Sequence, residues 1–311
     1  MGSVASASKI KERTRKFCQS LSNWETFNDS FTIFIKIDTH LQNEYRIIPE
    51  KQRIGKGHVY IARYIAKEIY YFLNATIHLS HKNLLLFAQR CLEYKNQTET
   101  LTIFYFAIIF VAEHIEKNPE KFKEIIAMIK TLANKEDWRI REGAIYPIIS
   151  GLKKAPDLAL PILSEWCEDE KENIRRLVAE SLRPKAEVKW LRDPKKNDEV
   201  LVILSKLRKD SSLYVRKAVG NNIKDLTKYM PEKMLQLMEE WLKDSNIIVH
   251  DTLATEAGLS TDQKRMISIM KHGMRWMKNK NPKYHQRLEK ILGKYYLLYF
   301  DEKKNRLAKP K

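Results

Sequence analysis

Three observations predict an all-α protein, an α-solenoid of HEAT-like helical repeats with a concave groove: a scarcity of turn formers, a short pattern that recurs along the chain, and apolar residues at helical spacing. The 311 residues include only 9 Gly and 10 Pro. A sandwich or barrel of many strands needs a turn every ~8 to 12 residues, which so few turn formers do not supply. Hydrophobic residues make up 43% of the chain, enough for a core, and this excludes disorder as the main state.

From the N-terminus, residues 1–20 are expected to be a frayed basic start. Lys9, Lys11, Arg13, Arg15 and Lys16 against Glu12 give the first sixteen residues a net +4. Met1-Gly2-Ser3-Val4-Ala5-Ser6 fits the N-myristoylation pattern, but six residues meet it easily by chance, and an unmodified start is the simpler reading. No apolar stretch of secretory type follows. Residues 21–300 are expected to form one solenoid, with mixed helix and strand character over Phe31–Asp38. The longest apolar run, Leu101 to Ala112, stops at Glu113. That is short of the ~20 residues of a membrane span, so it predicts a buried helix and no membrane partner.

The recurring pattern is clear over residues 132–260: an acid, four residues, Ile or Val, then a basic residue. Asp169 leads to Ile174-Arg175, Asp210 to Val215-Arg216 and Asp244 to Val249-His250; a degenerate first copy runs from Lys135 to Ile140-Arg141. The Ile/Val positions are 34, 41 and 34 residues apart, and Leu132, Trp166, Leu207 and Trp241 stand three before each lead position. This spacing describes a helix, a short polar turn and a second helix, repeated. The acid and base resemble the Asp and Arg ladder of HEAT repeats, so Asp169, Arg175, Asp210, Arg216, Asp244 and His250 are assigned structural roles. Trp166 and Trp241 are read as core residues.

Advancing 100° per residue from each Ile/Val places Ala144 and Ile148, Val178 and Leu182, Val219 and Ile223, and Leu253 and Ala257 on one buried face. A second stripe carries Glu142 and Tyr146; Arg176, Glu180 and Arg183; Lys217, Asn221, Lys224 and Asp225; and Asp251 and Thr255. In a solenoid the second helices line one surface, usually the concave one. The stripe mixes cations with three carboxylates, which would repel a polyanion. Either Glu142, Glu180 and Asp225 have a chemical task, or they are ion-paired to Arg176, Arg183 or Lys224 on a solvated face.

The chain has a net charge of +18, from 57 Lys and Arg against 39 Asp and Glu, and residues 261–311 alone contribute +11. A basic tail is expected over 301–311. Such ends suit a phosphate-backbone binder or a solvated helix face. Cys18, Cys91 and Cys167 are odd in number and widely separated, which indicates a reducing intracellular compartment rather than disulfides or a zinc module. His78 and His81 lack a companion ligand set, and Gly55-Lys-Gly57 is too short for a phosphate loop, so no metal or cofactor is expected.

Three strings carry a resemblance: Glu142-Gly-Ala-Ile-Tyr-Pro-Ile-Ile149, Glu172-Asn-Ile-Arg-Arg-Leu-Val-Ala-Glu-Ser-Leu-Arg-Pro184 running to Trp190, and Tyr214-Val-Arg-Lys-Ala-Val-Gly-Asn-Asn-Ile-Lys-Asp225. In order and spacing they resemble segments of the AlkC-type DNA alkylation repair glycosylases, relatives of the AlkD family. The resemblance covers roughly residues 132–260. It implies a DNA-binding groove, alkylated double-stranded DNA as the partner of a monomer, and excision of cationic bases such as N3-methyladenine or N3-methylcytosine by hydrolysis of the N-glycosidic bond. It assigns Asp225, Glu180 and Glu142 as the functional carboxylates. Arg176, Arg183, Lys217, Asn221 and Lys224 would hold flanking phosphates, and Trp190 would stack on a base or sugar. Gly143 and Tyr146 are expected to differ from the family's usual residues. Nothing after Gly258 has the strand pattern of the immunoglobulin-like domain that some AlkC-like proteins carry; the basic aromatic segment around Arg275, Trp276, Tyr284, Tyr295 and Tyr296 would take over part of its role. The alternative is a non-catalytic HEAT-repeat nucleic-acid-binding or scaffold protein that kept the repeat and the groove.

Overall fold

A computed structural model describes residues 6–22, 24–53, 57–96, 98, 100–246, 259–275, 277 and 282–293. Among these, helices of α and 3-10 type are the regular structure and no strand occurs, as the sequence predicts. The chain divides into two compact units, Met1–Leu158 and Ala159–Lys311.

The first unit is built around α5 (Thr102–Lys117), in which every residue from Thr102 to Ile115 except Tyr105 is buried. The apolar run read from the sequence is this helix. Around it pack α2 (Thr32–Ile47), α3 (His58–Ala75), α4 (His81–Lys95) and α8 (Ile145–Lys154). Phe31–Asp38, ambiguous in sequence, is helical, because Phe34, Ile37 and Leu41 recur at helical spacing and all face the core. Residues 7–20 differ from expectation. They form α1 (Ala7–Ser20), capped by Ser6, with Ile10, Thr14 and Cys18 buried against α3. Two cations of this segment reach across to neighbouring helices from an exposed face: Arg13 forks onto the buried Glu44, and Arg15 reaches Glu68 at 2.8 Å. Arg13 and Arg15 thus anchor the helix, while Lys9 and Lys16 stay exposed and pair with Glu12.

After α6 (Ile126–Ala133), the second helix of the first repeat is interrupted. α7 (Trp138–Gly143) stops at Ala144 and α8 follows. Pro147 explains the break, since it has no N–H for the Gly143 carbonyl and its ring crowds that position. Gly143 is required by packing, because a Cβ there would lie 2.3 Å from Cε1 of Phe104.

α9 (Pro156–Trp166) crosses from the first unit into the second, which goes on with α10 (Glu172–Ser181), α11 (Asp198–Lys206), α12 (Leu213–Leu226), α13 (Pro231–Asp244), α14 (Thr261–Met274) and α15 (Pro282–Leu292). α12 packs between α10 and α14. The apolar positions Val178, Leu182, Val219 and Ile223 are fully buried, as are Trp166 and Trp241 at 2% exposure each. The predicted ladder is present where it is complete: Arg175 Nε and Nη2 reach Asp210 Oδ2 and Oδ1 at 2.6 and 3.1 Å. Asp244 instead meets Arg208 at 3.3 Å. Val249, His250, Asp251, Leu253, Thr255 and Ala257, the fourth copy of the second helix, lie outside the described residues. So do Trp276, Tyr295, Tyr296 and the tail 301–311.

Candidate functional site

Two of the three stripe carboxylates come together at the ends of α10 and α12. Glu180 sits in the last turn of α10, and Arg183 follows where Pro184 prevents the helix from continuing. Asp225 sits in the last turn of α12. The two helices are locked at this level by Asn222, fully buried, whose Nδ2 donates to the Ala179 carbonyl at 2.9 Å. Arg183 bridges both acids: Nε donates to Asp225 Oδ2 at 2.9 Å, Nη2 donates to the same oxygen, and Nη1 donates to Glu180 Oε2 at 3.1 Å. Lys224 and Lys228 approach the other oxygen of Asp225 at 3.3 and 3.7 Å. Arg176 Nη2 lies 3.7 Å from Glu180 Oε1, with its guanidinium 4.3 Å above the Tyr214 ring.

The cluster therefore has four cations around two carboxylates. This resolves the apparent conflict with a polyanion, because the acids stand inside an excess of positive charge. They are not on a solvated face, since Glu180 is only 5% exposed. Burial opposes ionisation of Asp225, but the Arg183 hydrogen bonds and the charges of Arg183 and Lys224 outweigh it, holding the carboxyl below the usual carboxylate range. Burial likewise pulls the Lys224 ammonium below its ordinary value, with Asp225 opposing.

The groups expected to hold phosphates divide. Lys224 is 8% exposed and turned toward Asp225, and Arg183 is committed to the two acids. Asn221 Oδ1 accepts from His272 Nε2 at 2.9 Å and from Arg275 at 3.3 Å. Lys217 is exposed. Trp190 lies half-exposed in the 3-10 turn Lys189–Arg192. Glu142 belongs to the first unit, half-buried on α7, beside Tyr105, whose hydroxyl is pushed up by burial and by the nearby Tyr146, Asp137 and Glu142.

One residue escaped the sequence reading. Trp138, 62% exposed, opens α7 one turn before Glu142 and on the same face. Its signal was the four-residue spacing to a carboxylate already singled out, together with the N-cap Asp137 that fixes where the helix begins. A large aromatic left in solvent beside an acid is the kind of surface that stacks on a sugar or base.

The family model described as DNA alkylation repair enzyme matches residues 82–257, more than half of the chain. The chain belongs to this family. Bacillus subtilis (strain 168) YhaZ, an uncharacterized protein, is 34% identical over 117 residues, which are 36% of this chain and only 31% of that protein. Among solved structures, the alkylpurine DNA glycosylase AlkC of Pseudomonas fluorescens, bound to DNA containing an abasic site analog, aligns over 94% of this chain and 67% of its own. Its TM-score is 0.50 at 19% identity, a likeness of fold. AlkD2 from Streptococcus mutans aligns over 86% of this chain and 98% of its own, with a TM-score of 0.43 at 17% identity. The helical-repeat class agrees with the likeness to AlkC, and the DNA alkylation repair relationship read from the three strings agrees with the family match.

Proposed function

We propose that this member of the family is a DNA glycosylase that removes cationic N3-alkylated bases, N3-methyladenine first and N3-methylcytosine second, by hydrolysing the N-glycosidic bond. The observation that carries the reading is the Arg183-clamped carboxylate pair. Asp225 stays ionised within a cluster of four cations, an arrangement suited to a reaction that generates positive charge on a sugar. When C1′–N breaks, the bonding electrons return to the base and cancel its charge, so little acid catalysis is required. The deoxyribose acquires oxocarbenium character, which the Asp225 carboxylate stabilises. Water then adds to C1′ and releases a proton, and Asp225 or Glu180 orients that water. Arg183 holds Asp225 through one oxygen only, and the other is met by Lys224 and Lys228 at 3.3 and 3.7 Å, looser contacts that a water can share or displace. Glu142 is assigned a supporting role, and Arg176, Lys217 and Trp190 hold the flanking strand.

A second reading has an observation in its favour. Both acids are already partnered, as they would be in a non-catalytic DNA-binding member of the fold. Release of free N3-methyladenine from methylated duplex DNA separates the two. The intact protein is expected to release base, with Asp225→Asn and Glu180→Gln binding DNA but releasing far less. Binding to methylated DNA with N3-methyladenine and N3-methylcytosine left in place would overturn the glycosylase reading.

A further inference from the structure

In the three repeats whose basic residue is described, that residue closes the turn before its helix in the same way. Arg141 Nη1 donates to the carbonyls of Lys135 and Glu136 at 2.8 and 2.6 Å, and Arg175 Nη1 to those of Asp169 and Glu170 at 2.7 and 3.1 Å. Arg216 Nη1 does so with Asp210 and Ser211 at 2.6 and 2.8 Å. Arg175 then spends the rest of its guanidinium on the Asp210 carboxylate. Arg216 has no carboxylate in that place among the described residues, and its Nε, like three other arginine Nε atoms among them, is buried without a hydrogen-bond partner. Asp210 cannot serve, because Arg175 and the Ser212 N–H already occupy its oxygens. Burial, and next the charge of Arg265, pull Arg216 below its ordinary value. A buried donor left unmatched is costly, and an anion would satisfy it.

The space beside Arg216 is a cavity of about 280 Å³ between α12 and α14, lined by Arg216, Lys217, Ser268, Lys271, His272 and Arg275. Among the described residues its lining includes four cations, a hydroxyl and no carboxylate. Its walls are fixed by a close helix crossing. A Cβ on Gly220 would lie 2.7 Å from His272 Cδ2, and one on Gly273 would lie 2.9 Å from Ile223 Cγ2. His272 is neutral, lowered to about 4 by burial and by Arg275, Lys224 and Lys217. Its Nε2–H donates to Asn221, and its Nδ1 accepts from Arg275 at 3.1 Å, so the ring holds Arg275 at the cavity wall.

We infer that this cavity is a binding site for one phosphate group, held by Arg216, Lys217, Lys271 and Arg275, and that DNA supplies the phosphate. The DNA half of the inference rests on the proposed function. Lys217 and Asp225 are eight residues apart on one stripe of α12, about 12 Å. That is within a few nucleotides along one strand, whose axial rise alone is ~3.4 Å per nucleotide. The cavity would thus fix the strand a few nucleotides from the sugar at Asp225.

The test uses the intact protein and the variants Lys271→Gln, Arg275→Gln and both together, with folding checked by circular dichroism. Inorganic phosphate is titrated while the His272 imidazole resonance and the melting temperature are followed. Plain duplex DNA affinity is measured over a series of salt concentrations. The expected result is a saturable phosphate response that the double variant loses. DNA affinity should fall about tenfold or more, with the slope of log K against log salt shallower by ~0.9 for the lost phosphate contact. If these hold but the intact protein releases no base, the site stands and the glycosylase reading falls. A phosphate response with DNA affinity and slope unchanged overturns DNA as the source and leaves a site for free phosphate. No phosphate response and no change in DNA binding overturns the inference as a whole.

Discussion

Arg175 meets Asp210 side on: Nε and Nη2 take different carboxylate oxygens, the Ser212 N–H adds a third bond, and Nη1 is spent on two carbonyls. Arg183 meets Asp225 end on: Nε and Nη2 share Oδ2, Nη1 turns to Glu180, and Oδ1 is approached only by two lysines at 3.3 and 3.7 Å. Both pairs belong to the second unit and join successive repeats. The first is held by three hydrogen bonds of 2.6 to 3.1 Å spread over both oxygens. The second distributes one guanidinium over two acids and leaves an oxygen in looser contact. Ion pairing alone therefore does not separate a structural acid from a chemical one; how tightly each carboxylate oxygen is held does.

That distinction predicts opposite consequences for removing either acid. Asp210→Ala strands the Arg175 guanidinium, 15% exposed, without its partner, and is expected to cost about 3–5 kcal/mol of stability. Urea unfolding of the variant would show this as a lower midpoint with little change in slope, and a loss under ~1 kcal/mol would remove the ladder's structural role. Asp225→Asn is expected to reverse the pattern. Base release should fall ~10²–10³-fold, the scale at which one electrostatic stabiliser of a transition state matters. Its loss of stability should be smaller than that of Asp210→Ala, because Arg183, 29% exposed, and Lys228, 34% exposed, still reach water. If the two variants behave alike in both assays, the distinction drawn from their geometry is wrong.

Trp138 extends the comparison to the first unit. At 62% exposure it contributes little packing, so Trp138→Ala should leave unfolding within ~0.5 kcal/mol of the intact protein. On the proposed stacking role it should weaken binding to lesion-containing DNA by ~1–3 kcal/mol. Competition binding with methylated and unmethylated duplexes measures this directly, and equal affinities for intact and variant protein would assign Trp138 to some other contact.

The repeats were legible because they are local. A period of 34 to 41 residues, a ladder acid and base six apart, and apolar positions at multiples of four are all read within one helix pair. Arg175–Asp210, Trp166 and Trp241 stand as that pattern requires. What the sequence could not give is the depth of a polar side chain. Lys224 and Glu180 fall on the polar stripe by angle, yet the close approach of α10 and α12 buries both. The basic start was misread for a related reason. Its partners Glu44 and Glu68 are 31 and 53 residues away, on helices whose packing no local pattern specifies. The cavity at Arg216 depends likewise on Gly220 meeting His272, a contact between helices 52 residues apart.

The smallest expected effect is the one that separates Arg183 as a clamp from Arg183 as a phosphate contact. With Arg183 present, Asp225 ionises below the usual carboxylate range. Its ionised form therefore adds stability that is fully present above the unfolded carboxyl pKa and is lost only as pH falls through the lower, folded value. Activity that depends on the ionised Asp225 should persist to the same low pH before declining. Arg183→Gln removes the strongest of the interactions that depress that pKa while leaving Lys224 and Lys228 in place. Base release at neutral pH should then fall only about tenfold, ~1.4 kcal/mol, because most Asp225 remains ionised there. The acid limb of the pH profile should move upward, and acid unfolding should begin at higher pH. A phosphate contact predicts something else: weaker DNA binding with an unmoved acid limb. The position of that limb, measured at saturating DNA, decides which of the two tasks Arg183 performs.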